Sequence, residues 1–166
     1  MFLTTEELKS VLYDYQMQDI AEGDTAILDD AIDAAVSEVQ SYLLAANQRR
    51  QTAALSKQQY AAWQLYDVDA IFAAQGSTRN SFLLRLTKRV AAWNVVELAA
   101  PDVLYDRVKE RYLAAVDTLK AIAGMGDYAD SRLIIPGLPL ITPSDDTQDQ
   151  QAQPVRMTSR DKFRHE

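Results

Sequence analysis

Cysteine is missing from this 166-residue chain, which excludes disulfides and thiolate metal centres and suits a reducing compartment. Histidine is reduced to His165, next to last in the sequence. A lone imidazole in such a position lacks the fixed geometry that general-base catalysis requires. No apolar run approaches the roughly 18–20 residues needed to cross a bilayer, and the acidic, helix-patterned N-terminal stretch does not resemble a signal peptide. The expectation is a soluble protein with no catalytic residues, no cofactor, no metal and no membrane partner.

Cationic side chains are outnumbered, 17 Lys and Arg against 24 Asp and Glu, for a net charge of −7. That balance opposes general affinity for phosphate backbones, so no sequence-specific nucleic-acid partner is expected. The distribution says more than the total. Residues 1–47 hold ten carboxylates and one cation, residues 48–143 hold nine and twelve, and the last 23 residues hold five and four. One part of the fold is expected to be acidic and another weakly basic, an asymmetry that can orient copies of one protein on each other.

Hydrophobic residues make up 48% of the chain, enough for one domain with its own core. Thr4-Thr5-Glu6-Glu7 reads as a capping box, with Leu3 and Leu8 at the staple positions, so a short first helix should end near Tyr13. Tyr13 to Gly23 has no clean period and reads as a connection, with Asp24 as the next N-cap. A second helix is predicted from Thr25 to about Ala46 on the stripe Leu28, Ile32, Ala35, Val39, Tyr42 and Ala46. The polar stretch Asn47 to Gln59 reads as a loop or loose helix, and Tyr60 to Ala74 as a broken helix anchored by Trp63, Tyr66 and Phe72.

A third long helix is expected over about Arg79 to Ala99. Phe82, Leu83, Leu86, Val90 and Trp93 form its core stripe, and Leu84, Ala91, Val95 and Leu98 give it a second apolar face. Such a helix is either central in the monomer or shares one face with another subunit. Pro101 suits the first position of a fourth helix, which Gly124 and Gly126 stop, and the connection is short enough for a hairpin. The predicted fold is all-α: a compact bundle of about four to five helices over residues 1–128, an extended Pro-containing arm or hairpin over 129–143, and a disordered tail over 144–166.

Several motifs carry less than they spell. Ser159-Arg160-Asp161-Lys162 has the S-x-x-K order of acylating enzymes but none of the partner motifs. Gly124-Met125-Gly126-Asp127-Tyr128-Ala129 fits G-x-G-x-x-A, yet these glycines follow a helix, where a phosphate loop must precede one. Asp24, Asp29, Asp30 and Asp33 lack the oxygen-rich loop or Glu-x-x-His elements of a metal site. Residues 60–99 can be read as a helix-turn-helix corner with Arg85, Lys88 and Arg89 on the recognition helix, giving a DNA-binding regulator as the alternative function. Against it, that helix is apolar on two faces, and a recognition helix must leave one free for the groove.

The run from Trp93 through Pro101 to Tyr105 joins two amphipathic helices with almost no loop. Glu22-Gly23-Asp24, the run Tyr66 to Ala74 and Arg79-Asn80 precede it, and Lys109-Glu110-Arg111-Tyr112 and the two-glycine stop follow. In that order these elements resemble the small helical head-tail connector, adaptor or head-completion proteins of tailed phages, of the Mu-like branch. The resemblance implies a structural subunit of the virion neck, made in the host cytoplasm. It would form a ring with copies of itself between the portal and the tail or neck proteins.

Under that reading the subunit contact is expected to pair Asp29, Asp30 and Asp33 of one copy with the Leu84, Arg85, Lys88, Arg89 and Val95 side of the next. In the tail, Val155, Arg156, Met157, Arg160, Lys162 and Phe163 are expected to form a contact arm.

Overall fold

The computed structural model describes residues 2–22, 24–57, 65–98, 103–131 and 133–141. It is a helical bundle with one two-residue strand pair. The elements are α1 (Thr5–Leu8), α2 (Asp14–Ala21), α3 (Thr25–Lys57), β1 (Leu65–Tyr66), α4 (Val68–Ala73), α5 (Ser81–Glu97), α6 (Val103–Ala123) and β2 (Leu140–Ile141).

The N-terminal capping box forms. The Glu7 carboxylate accepts the Thr4 amide at 3.1 Å and the Thr4 hydroxyl at 3.2 Å, and Leu3 and Leu8 are fully buried. Two expectations are corrected here. The stretch after Tyr13 is a helix, α2, which buries only Met17 and Ala21 and stops where Glu22 adopts a left-handed conformation, φ 48°. Two buried residues one turn apart are too few to show a period. Asp24 then caps α3 by accepting the Ala26 amide at 3.0 Å.

The second correction concerns α3, which continues through the polar stretch after Asn47 to Lys57. Its 33 residues extend about 50 Å at 1.5 Å per residue. The stripe Ile32, Ala35, Val39, Leu43 and Ala46 is sealed from solvent, each large aliphatic contributing about 1.5–3 kcal/mol by leaving water.

Three long helices, α3, α5 and α6, pack against one another. Glu38 meets Tyr112, and further along both helices Arg49 lies against Gly124, so α3 and α6 run in the same direction. The few residues between α5 and α6 are too short to return the chain along the roughly 25 Å of α5, so these two are antiparallel. Pro101 lies outside the described residues. Asn80 caps α5 by accepting the amides of Phe82 and Leu83. Gly124, at φ 67°, ends α6 as the left-handed residue of a Schellman cap, with the Met125 amide donating to the Lys120 carbonyl at 3.0 Å.

Helix α5 is the centre of the molecule, with α1, α2, α3 and α6 all against it. This decides between the two expectations for its double apolar face. Ala91 and Val95 are fully buried within the chain, so Val95 is withdrawn from the expected subunit contact.

The segment after α6 is neither a free arm nor a hairpin on itself. It folds back so that β2 pairs antiparallel with β1, Leu65 opposite Ile141 and Tyr66 opposite Leu140. Ile135 and Leu138 enter the core on either side of the Pro136-Gly137 turn. Residues 144–166, expected to be disordered, and Trp63 lie outside the described residues.

Candidate functional site: two grooves of opposite charge

Most of the residues that carry the resemblance hold the scaffold together. Arg79 is the clearest case. Its guanidinium donates to both carboxylate oxygens of Glu7 (2.8 and 2.5 Å), to the Phe2 carbonyl at 2.6 Å and to the Gly76 carbonyl at 3.0 Å, tying the N-terminal segment to the entry of α5. That guanidinium, together with the Thr4 hydrogen bonds, draws the Glu7 carboxyl down to about 2 against a partial desolvation penalty. The neighbouring Asn80 also donates to the Pro136 carbonyl at 2.9 Å.

Tyr66 clasps the returning segment. Its ring is buried beneath the Arg50 guanidinium, 4.1 Å from the centroid, and its hydroxyl accepts the Ile135 amide at 3.2 Å. Asp67 caps α4 through the Ala70 amide, and its own amide donates to the Pro139 carbonyl. Arg49 donates to the Ser131 and Ala129 carbonyls. Trp93, expected in the core, is half-buried. It stacks on Tyr112 at 5.3 Å and tilts against Tyr105 at 5.1 Å. The Tyr112 hydroxyl donates to Glu38 at 3.3 Å. Burial raises the Glu38 carboxyl, and burial together with the Glu38 charge pushes the Tyr112 phenol up to about 12.

Among the described residues, two grooves of opposite charge open on the surface. The first, about 370 Å³, lies where α5 meets α6 and the turn after α1, and is lined by Arg85, Lys88, Arg89 and Arg111 with Leu84 and Ser81. No carboxylate lines it, and among the described residues none of these four cations forms an ion pair. Lys88 instead donates to the Ser10 hydroxyl at 3.2 Å. An adjoining hollow that shares Arg111 adds Lys9 and Arg107.

The second groove, about 760 Å³, lies between α2, α3 and the end of α5. Ala31 with the half-buried Ile20 and Ile27 forms its apolar floor, the exposed Ala34 and Leu98 flank it, and Asp30, Glu38 and Glu97 form its rim, without a cation. Arg85 and Lys88 each stand nine residues before Asn94 and Glu97 respectively, two and a half helical turns. The two grooves therefore open on opposite sides of α5.

Of the expected contact residues, the structure brings Leu84, Arg85, Lys88 and Arg89 together in the basic groove, and places only Asp30 of the three aspartates on the acidic rim. Asp33 is exposed and Asp29 half-buried, neither lining that groove. Arg111 joins the basic groove from α6, and Glu97 of α5 meets Asp30 and Glu38 of α3 in the acidic one, meetings between helices that no local spacing announces. The expected tail contacts, Val155, Arg156, Met157, Arg160, Lys162 and Phe163, lie outside the described residues.

Among the described residues no group of three or more acidic or histidine side chains is placed to hold a metal ion, and no helix is long and apolar enough to cross a membrane. No known protein family, curated protein or solved structure matches this chain.

Proposed function

We propose that this chain is a structural subunit that associates head to tail, the basic groove of one copy receiving the acidic rim of the next, as a ring component of the head-tail connector type. The observation that carries the reading is the pair of oppositely charged grooves half a turn apart on the central helix. Patches that complement each other from opposite sides of a molecule make a heterologous contact, which repeats copy after copy and closes when the rotation allows. A self-complementary patch would instead give a two-fold dimer.

The resemblance noted in the sequence supplies the setting: the virion neck, with the portal above and tail or neck proteins below. The regulatory reading is weaker. Helices α1, α2, α3 and α6 all pack against α5, whereas a recognition helix must leave one face free for the groove.

The test is assembly. Purified protein, alone and with a portal ring, is imaged by negative-stain electron microscopy and its mass measured in solution. Rings or portal-bound collars support the reading. Lys88→Glu with Arg89→Glu should abolish them with helical content unchanged, and adding Asp30→Lys and Glu97→Lys should restore them. Assembly unaffected by the first pair overturns the charge pairing, and a stable two-fold dimer overturns the ring.

A further inference from the structure

The acidic groove has an apolar floor and a rim of three carboxylates with no cation of its own. Its occupant should therefore carry apolar side chains interleaved with positive charge. One segment of this chain has that character: residues 155–163 combine Val155, Met157 and Phe163 with Arg156, Arg160 and Lys162 against the single carboxylate of Asp161.

Reach allows the contact within one molecule. Strand β2 ends at Ile141, paired with β1 beside Asn47 of α3. The rim residues Glu38 and Asp30 lie farther up the same helix, roughly 14 and 26 Å along its axis at 1.5 Å per residue, and the path around the helix adds up to about 17 Å. The residues from 142 to 154 span up to about 45 Å when extended. A segment tethered at that range meets the groove at an effective concentration on the order of millimolar, above that of any second copy in dilute solution.

We infer that residues 155–163 dock into the acidic groove of their own chain, with Arg156, Arg160 and Lys162 against the rim of Asp30, Glu38 and Glu97 and the apolar side chains on the floor. The docking stands independently of the ring. Its consequence rests on the ring reading: the segment occupies the surface that the basic groove of a neighbouring copy would take, so a free copy stays single until a neighbour displaces it.

Because the chain has no cysteine, a pair of introduced thiols reports on this contact alone. Full-length protein carrying Ala34→Cys and Met157→Cys is oxidised, and the monomer fraction is analysed. The expected result is an intramolecular disulfide forming at least tenfold faster than in the control pair Ser81→Cys and Met157→Cys, whose first thiol lies in the basic groove. Neutralising the rim with Asp30→Asn, Glu38→Gln and Glu97→Gln should slow it at least fivefold, with thermal unfolding confirming that the variant is folded. Equal rates at the two positions, a rate indifferent to the rim, or disulfides only between copies would each overturn the docking. Rings that still form in those circumstances would leave the assembly reading standing, and cross-linking without rings would do the reverse.

Discussion

The side-chain amide of Asn47 pairs with both backbone groups of Tyr66, its Oδ1 accepting the amide at 2.8 Å and its Nδ2 donating to the carbonyl at 2.9 Å. A helix residue thus serves as the ladder partner for a strand that has β2 on its other edge. The geometry requires a donor and an acceptor side by side on one planar group, as the side-chain amides of Asn and Gln provide.

Replacing Asn47 by Leu should therefore cost about 1–3 kcal/mol, since it leaves two part-buried backbone groups unpaired. Asn47→Asp keeps the acceptor but sets an anion against the Tyr66 carbonyl, and should cost a comparable amount. Hydrogen exchange of the Tyr66 amide is the specific readout: it should speed up at least tenfold in Asn47→Leu, and less in Asn47→Asp, which keeps that amide's acceptor. An amide that stays protected would mean that the ladder with β2 suffices to hold the strand.

The Glu7–Arg79 pair predicts an acid-sensitive stability. Glu7 titrates near 4.5 when unfolded and near 2 when folded, so its contribution is fully present above about pH 4.5 and is lost as the pH falls towards 2. Allowing for solvent screening of a partly exposed carboxylate, that contribution is about 1–2 kcal/mol. Denaturant melts of wild type and Glu7→Gln should differ by this amount at pH 7 and converge near pH 2. A difference independent of pH would place the effect in packing.

Glu38 carries the opposite sign. Partial burial raises its carboxyl, so its ionised form opposes folding at neutral pH, and the opposition fades as the pH falls below the folded value. Glu38→Gln retains an acceptor for the Tyr112 hydroxyl. It should raise the unfolding midpoint at pH 7 by about 1–4 °C and leave it unchanged near pH 3. A lower midpoint at pH 7 would show that the charge is stabilised by its surroundings.

Trp93 is half-buried, so Trp93→Ala should cost about 2–3 kcal/mol, below the 3–5 typical of fully buried aromatics. Part of that cost is the stacked contact with Tyr112. A double-mutant cycle with Tyr112→Leu should give a coupling of about 0.5–1.5 kcal/mol. Additive costs would mean that the rings meet without mutual preference.

Features written locally were legible in the sequence. Gly124 marks the end of α6 because a left-handed glycine acts within one turn of itself. Thr4 and Glu7 announce α1 for the same reason. The polar half of α3 reads as a loop or a loose helix, and its own spacing does not decide between them because tertiary partners hold it: Asn47 on Tyr66, and Arg49 on the carbonyls beyond α6. Pro136-Gly137 showed a turn, but nothing local could show that the segment would pair with β1, some 75 residues earlier.

The grooves divide in the same way. Arg85, Lys88 and Arg89 cluster by helical spacing and were visible, whereas Arg111 and the Glu38–Glu97 rim exist only once three helices are assembled. Val95 was correctly placed on a second apolar face, but α1 and α2 help to cover α5, and the period of one helix does not reveal its neighbours.

The returning segment also fixes where tension would enter the molecule. A pull on the chain beyond Ile141 reaches β2 first, passes to β1 through the ladder, and arrives through Asn47 at the side of α3 well inside its length. The bundle core lies behind that junction, so a strained tail would peel the short ladder before it disturbed the packing of α3, α5 and α6.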